Sequence, residues 1–114
     1  MTGLMQRRRR GAGMVLLAAA FVFASHVAAL AEGVTVSIDN FTFKPDVLTI
    51  KRGSTVTFVN HDDIPHSIVD AGKAFRSKVL DTNESFTFTF DAVGDISYFC
   101  GLHPHMTGHI VVTP

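Results

Sequence analysis

The chain of 114 residues is long enough for one small domain, and its formal charge is zero with neutral histidines. Four of its ten basic residues are consecutive, Arg7 to Arg10, and without them the part that begins at Glu32 carries a net charge of −4. That acidic balance argues against nucleic-acid binding, which favours a basic face. The single cysteine excludes an internal disulfide.

The first 31 residues have the pattern of a secretory signal peptide. The arginine block is followed by the apolar run "GMVLLAAAFVFAS" and by "ALA", which places small residues at −3 and −1 of a cut after Ala31. Ala29 is the second choice of cleavage site. We therefore predict a leader at residues 1–31 and an exported, periplasmic domain at 32–114, with the Sec or Tat route left open.

An uncleaved membrane anchor is the alternative reading of the leader. Its apolar run is alanine-rich and is interrupted by Ser25 and His26, whereas a spanning helix needs about 20 firmly apolar residues. We favour cleavage, after which no membrane span remains in the domain.

The rest of the chain predicts short strands. In chain order these are "VTVSI" (34–38), "VLTI" (47–50), "TVTFV" (55–59), "SFTFTF" (85–90), "DISYFC" (95–100) and "GHIVV" (108–112). Their β-branched and aromatic residues alternate with polar ones, which is typical of strands buried on one face. Residues 70–78 are polar and irregular, which predicts a loop or a short helical turn.

This pattern predicts an all-β fold, a small Greek-key sandwich or barrel. No segment after the leader has a long helical period, so two sheets must bury their apolar faces against each other. We expect six phenylalanines to supply most of the core: Phe41, Phe43, Phe58, Phe86, Phe88 and Phe90.

The segment "YFCGLHPHM" (98–106) concentrates sulfur and imidazole in one loop. Its spacing is Cys100-x-x-His103-x-x-Met106, and "DIPHSIV" (63–69) adds His66 from upstream. A thiolate, two imidazoles and one thioether are the ligands of a type 1 copper site, in which soft sulfur suits Cu(I) and imidazole also suits Cu(II). We therefore predict that His66, Cys100, His103 and Met106 bind one copper ion.

With these motifs the chain resembles the cupredoxin family, and the short spacing of the loop is amicyanin-like. The resemblance extends from "FTFKPDVLTIKRGSTVTFVN" through "PHSIV" to "GDISYFCGLHPHMTGHIVV". It implies a monomeric, non-enzymatic one-electron carrier. Its transient partners would be periplasmic redox proteins such as a dehydrogenase or a c-type cytochrome.

Three positions depart from the pattern of the family. Ser67 stands where many relatives have an asparagine that ties the histidine segment to the cysteine loop, and a smaller hydroxyl is expected to weaken that tie. Phe99 and His105 also differ from the residues usual at their positions. As in relatives, we expect an apolar docking patch around His103, formed by Ile64, Pro65, Leu102 and Pro104.

Other functions remain as alternatives. The same ligands could serve a periplasmic copper-trafficking protein that does not carry electrons, although trafficking usually favours open, Met- or His-rich sites. A zinc or cysteine enzyme is less favoured, since a catalytic zinc keeps an open position that Met106 would fill. His61, His105 and His109 are interpreted as surface residues, with His105 as an alternative axial ligand.

Overall fold

The structure is a computed structural model, and it describes residues 33–114. The predicted leader at residues 1–31 lies outside the described residues. Eight strands are formed: β1 (Gly33–Asp39), β2 (Thr42–Lys44), β3 (Val47–Lys51), β4 (Thr55–Asn60), β5 (Val69–Asp70), β6 (Ser85–Thr89), β7 (Gly94–Phe99) and β8 (Thr107–Thr113). Within this part of the chain there is no helix of the length and hydropathy needed to cross a membrane.

The strands form two four-stranded sheets, so the predicted all-β sandwich is confirmed. The first sheet has the order β2-β1-β4-β6 and the second has the order β3-β8-β7-β5. The pairs β1–β4 and β3–β8 are parallel, and the remaining pairs are antiparallel. Because the chain changes sheet at every step from β2 to β7, its connections join the two layers repeatedly.

The core follows from alternation along the strands. In β4, Val56 and Phe58 are fully buried, whereas Thr55 and Thr57 face outward. The two outward hydroxyls lie 3.0 and 3.1 Å from those of Thr89 and Thr87 on β6. One face of this strand pair is therefore apolar and the other is a row of hydrogen-bonded threonines, as a half-buried sheet requires.

Phe41 is the exception among the six predicted core phenylalanines, and its assignment to the core is wrong. It is 45% exposed, while Phe43 is 1% exposed. The physical reason is the turn between β1 and β2, where Asn40 and Phe41 have φ angles of 53° and 57°. Two successive residues with positive φ make a tight hairpin turn, which rotates Phe41 away from the face that Phe43 occupies. Phe86 and Phe88 are half-buried at the border of the core.

The six predicted strands are present, but β2 and β5 were not predicted. They contain three and two residues, too few to show alternation, and each is an edge strand of its own sheet. Most of residues 70–78 form turns and irregular backbone, which confirms the loop.

One end of the sandwich collects the predicted metal ligands. β1, β4 and β7 all end there, and β8 begins there, because β1 and β4 are parallel while β7 and β8 are antiparallel. The segments that follow these strand ends carry Phe41, His66 and Cys100. The fold thus brings the predicted metal ligands from distant parts of the sequence to one end of the sandwich, which we call the metal pole.

A close approach in the core requires glycine at position 108. Gly108 lies opposite Tyr98 in the β7–β8 register, and a Cβ added to Gly108 would be 2.3 Å from the Tyr98 ring and hydroxyl. Burial and the negative charge of Asp46 raise the pKa of Tyr98 above its ordinary value, so the ring stays neutral.

We predict that Gly108→Ala destabilises the metal-free domain by about 1–3 kcal/mol, because the added methyl group overpacks a site that cannot expand freely. Gly33→Ala is the matched control, since a Cβ there meets no atom within 4 Å. Urea unfolding followed by circular dichroism measures both. Equal midpoints for the two variants would contradict the prediction.

Candidate metal centre

The loop after β7 is closed by its own backbone. The amide of Cys100 donates to the carbonyl of Met106 at 3.0 Å, His103 donates to Cys100 at 3.2 Å, and Met106 donates to His103 at 2.9 Å. These three hydrogen bonds fold the loop so that its three predicted ligands return to the same region. Cys100 and Met106 are 0% and 6% exposed, and His103 is half-buried.

The fourth predicted ligand, His66, comes from the segment after β4. Its backbone pairs in both directions with Leu80, with N···O distances of 3.1 and 2.7 Å. The side chain is fully buried. His66 is therefore fixed by main-chain contacts as well as by packing.

The donor atoms converge on one point. The Cys100 sulfur lies 3.6 Å from Nδ1 of His66 and 3.6 Å from Nδ1 of His103. All three donor atoms lie within 4.8 Å of one another. Imidazole and thiolate donors that share one first-row metal, at bond lengths of about 2.0–2.3 Å as for zinc, lie roughly 3.5–3.8 Å apart. The spacing therefore fits a single ion bound by the three residues.

The nature of the donors favours copper over zinc. Thiolate and thioether sulfur are soft ligands, and a trigonal Cys-His-His set with a weak methionine is typical of type 1 copper. The loop closure brings Met106 next to the three convergent donors. Met106 is 6% exposed, so its side chain is enclosed by the protein on the inner side of this loop.

Ser67 does connect the two ligand-bearing segments. Its hydroxyl accepts a hydrogen bond of 3.0 Å from the amide of Gly101, and its own amide donates to the Cys100 sulfur at 3.4 Å. A Cβ at Gly101 would lie 2.7 Å from the serine oxygen, so glycine permits this close contact. A tie between the two segments is therefore present with serine at this position.

Sequence reasoning missed Asp62. Its carboxylate accepts hydrogen bonds from the amides of Asn40 and Phe41, and its Oδ2 lies 2.8 Å from Nε2 of His66. Burial acts to raise the pKa of this carboxyl, but the two amides and His66 outweigh burial and hold its pKa below the ordinary value. The signal available in the sequence was an acidic residue four positions before a ligand.

Phe41, misassigned to the core, lies instead against both histidines. Its ring centroid is 5.4 Å from that of His66 and 5.1 Å from that of His103, both edge-on. The two histidine rings are 5.1 Å apart. An exposed aromatic ring thus covers the imidazole pair, at a position that alternation alone could not reveal.

The expected docking residues lie around the same pole. Pro65, Leu102 and Pro104 are exposed, with Leu102 at 46%, and Ile64 is half-buried. His61 and His105 are exposed, and His109 is half-buried with Nδ1 3.3 Å from the hydroxyl of Ser97. His105 is thus on the surface, whereas Met106 is buried.

Comparison with known proteins places these features in a family context. Residues 13–112 match the family model described as a cupredoxin-like domain. The chain is 32% identical to an amicyanin of Paracoccus versutus over 72% of its own length and 66% of that protein. It is 30% identical to a chloroplastic plastocyanin of Tetradesmus obliquus over 95% of its own length and 82% of that protein.

Solved structures give the same result. A purple cupredoxin from Nitrosopumilus maritimus matches with a TM-score of 0.67 and 29% identity, covering 70% of this chain and 99% of that one. A copper-containing nitrite reductase from Thermus scotoductus also matches at a TM-score of 0.67, with 34% identity over 71% of this chain and 22% of that protein. The same domain therefore occurs alone and as part of a larger enzyme.

We predict that Ser67→Ala lowers the free energy of unfolding of the metal-free domain by about 0.5–1.5 kcal/mol, the usual net contribution of one hydrogen bond. Thermal or urea unfolding measures the change.

The control for this prediction is Ser85→Ala, an exposed serine on β6 whose side chain makes no hydrogen bond within residues 33–114. If the two alanine variants unfold alike, the Ser67 bridge does not contribute to stability.

Proposed function

The chain belongs to the cupredoxin family, and from that premise we propose that it is a one-electron carrier whose single copper ion is held by His66, Cys100, His103 and Met106. The observation that carries the proposal is the buried sulfur of Cys100, 3.6 Å from one nitrogen of each histidine. Copper would supply the one-electron redox couple, and the protein would hold the ligands in place and provide the surface that partners contact.

The contribution of the protein is rigidity. His66 is fixed by backbone bonds to Leu80, the loop of the other three ligands is closed by three backbone bonds, and Ser67 joins the two segments. Close-packed side chains around them resist displacement. Ligands that cannot move far keep the same positions in both oxidation states, so little reorganisation accompanies the transfer.

A carrier is favoured over a copper-trafficking protein by the closure of the site. His66 and Cys100 are fully buried, and Met106 is 6% exposed. A protein that hands over its metal needs ligands that a recipient can reach. Here a recipient reaches only the outer side of His103, which is half-buried, so electrons pass more easily than the ion.

We also propose that the domain acts without enzymatic turnover. A catalytic metal site keeps one position open for water or substrate, as catalytic zinc sites do. The burial of Met106, in the same closed loop as Cys100 and His103, supports its side chain as the fourth ligand and leaves no such open position in this proposal. The likeness to part of a nitrite reductase concerns the domain, which in that protein is joined to additional chain.

Electron exchange is proposed to occur at an apolar surface around His103. Leu102 and Phe41 are 46% and 45% exposed, and Pro65 and Pro104 are also exposed. Exposed apolar patches of this kind mark interaction surfaces, and redox encounters are small and brief. The partners are redox proteins outside the cytoplasm, such as a dehydrogenase or a c-type cytochrome, which meet the domain after cleavage at Ala31.

We predict that the copper-loaded protein absorbs visible light intensely through charge transfer from the Cys100 sulfur, and that a chemical reductant bleaches the band. Cys100→Ser should remove the band almost completely, because oxygen cannot replace the thiolate. His105→Ala, which changes an exposed neighbour in the same loop, should keep it. Absorption spectra of the copper-loaded wild type and the two variants test this prediction. A band that survives in Cys100→Ser would refute Cys100 as the copper ligand.

We further predict that Leu102→Glu slows electron transfer to a redox partner by roughly tenfold or more, since a buried charge at the contact is worth more than 1.4 kcal/mol. The visible spectrum should not change, because Leu102 is not a ligand. Stopped-flow mixing with a c-type cytochrome measures the rate.

Val93→Glu is the matched control for the docking surface. Val93 is 51% exposed and precedes β7, at the pole opposite the metal ligands. Equal rates for the Leu102 and Val93 variants would show that electrons do not enter at the apolar surface around His103.

A further inference from the structure

Asp62 stands out among the acidic side chains because it is largely enclosed and contacts a predicted metal ligand. Its side chain is 11% exposed, and it contacts His66, which is 0% exposed. Asp63, the next residue, is exposed. Two consecutive aspartates of the same charge therefore have opposite environments, and only one of them lies against a predicted ligand.

The position of the Asp62 carboxylate is fixed from several sides. The backbone amide of Asp62 donates to the Asn60 side chain at 2.9 Å, and the backbone carbonyl of Asp62 accepts from the Thr82 hydroxyl at 2.7 Å. Asn60 in turn donates to the carbonyls of Ile64 and Leu80, both at 3.0 Å. The carboxylate is therefore presented to His66 by a preorganised loop, and the contact is not an accident of a mobile surface side chain.

The contact determines which nitrogen of His66 carries hydrogen. An ionised carboxylate can only accept, so the imidazole nitrogen at 2.8 Å, Nε2, must donate. Nδ1 then keeps a free lone pair, and Nδ1 is the atom that faces the Cys100 sulfur. A hydrogen bond of this kind also makes the ring a stronger donor to a metal.

The contact also places a negative charge beside the ligand. In a poorly solvated position an anion stabilises a neighbouring site more when that site carries more positive charge. The oxidised form of a copper centre carries one more positive charge than the reduced form. The carboxylate should therefore favour the oxidised form.

We propose that Asp62 is a positioning residue that holds His66 in the Nε2–H tautomer and lowers the reduction potential of the centre. The inference rests on the proposed function, because the potential has meaning only if the four residues bind copper. In this proposal Asp62, which is not itself a ligand, influences how readily the protein accepts an electron.

The first measurement needs no copper. Long-range ¹⁵N–¹H correlation spectra of the metal-free protein at about pH 9, where an ordinary imidazole is neutral, identify the protonated nitrogen of His66. We expect a protonated Nε2 and a bare Nδ1. A proton found on Nδ1 overturns the proposal, whether or not the protein binds copper.

The second measurement compares potentials. Asp62→Asn removes the charge with little change of shape, and Asp63→Asn removes the same charge from the exposed neighbour. Loss of a hydrogen-bonding partner of a ligand typically changes metal affinity by about 10–100-fold. We expect at least a tenfold loss of Cu(II) affinity relative to Cu(I) in Asp62→Asn, which raises the potential by about 59 mV. Asp63→Asn should shift it much less.

Voltammetry on the three copper-loaded proteins gives the result. Equal potentials for the two variants would overturn the proposal. So would a fall in thermal stability of Asp62→Asn without a change of potential, since Asp62 would then only hold the turn at Asn40 and Phe41. A wild-type protein that binds no copper would refute the proposed function instead, and the spectra of the metal-free protein would still test the tautomer.

Discussion

The contact on which this structure depends is the meeting of the Cys100 sulfur with the imidazoles of His66 and His103. One histidine follows β4 of the first sheet, and the cysteine follows β7 of the second, 34 positions later. The sulfur can contact both rings only if the two sheets keep a fixed relative position and a fixed separation. Each connection that crosses between the layers limits their sliding, and the position of the three donors is thereby a property of the whole sandwich.

Two short links adapt this general scaffold to a particular site. Ser67 joins the histidine segment to Gly101 beside the cysteine, and Asp62 joins the same histidine to the turn that carries Phe41. Both links use small polar side chains with backbone amides as partners. The surroundings of the ligands, more than the ligands themselves, distinguish one member of such a family from another.

The all-β fold and the Cys-x-x-His-x-x-Met loop could be predicted from the sequence because both have strong local signals. Alternation over five or more residues marks a strand, and the spacing of Cys100, His103 and Met106 is short enough to be read directly. Where signals are short or non-local, prediction failed. β2 and β5 are too brief to alternate, and Phe41 appeared to continue a buried pattern with Phe43. Positive φ at two consecutive residues reverses that pattern, and the amides of both residues donate to the carboxylate of Asp62, 21 positions after Phe41.

Asp62 illustrates the same limit within the site. An aspartate next to another aspartate in a turn looks like ordinary solvated charge. Only the folded chain shows that one of the pair is enclosed by Asn60, Thr82 and His66. The sequence pointed to Ser67 as a link between the two ligand-bearing segments, but the close approach of Gly101 to its hydroxyl could not be known from the sequence.

The direction of β1 has a consequence for how the domain can be attached to anything else. β1 has seven residues and runs toward the metal pole, so its start, Gly33, lies about 20 Å from the ligands. β8 runs in the opposite direction, away from the ligands, and ends at Thr113. Both ends of the domain thus leave from the pole opposite the histidines. A tether, a lipid anchor or a fused module at either end would orient the pole that carries the histidines outward, away from the point of attachment.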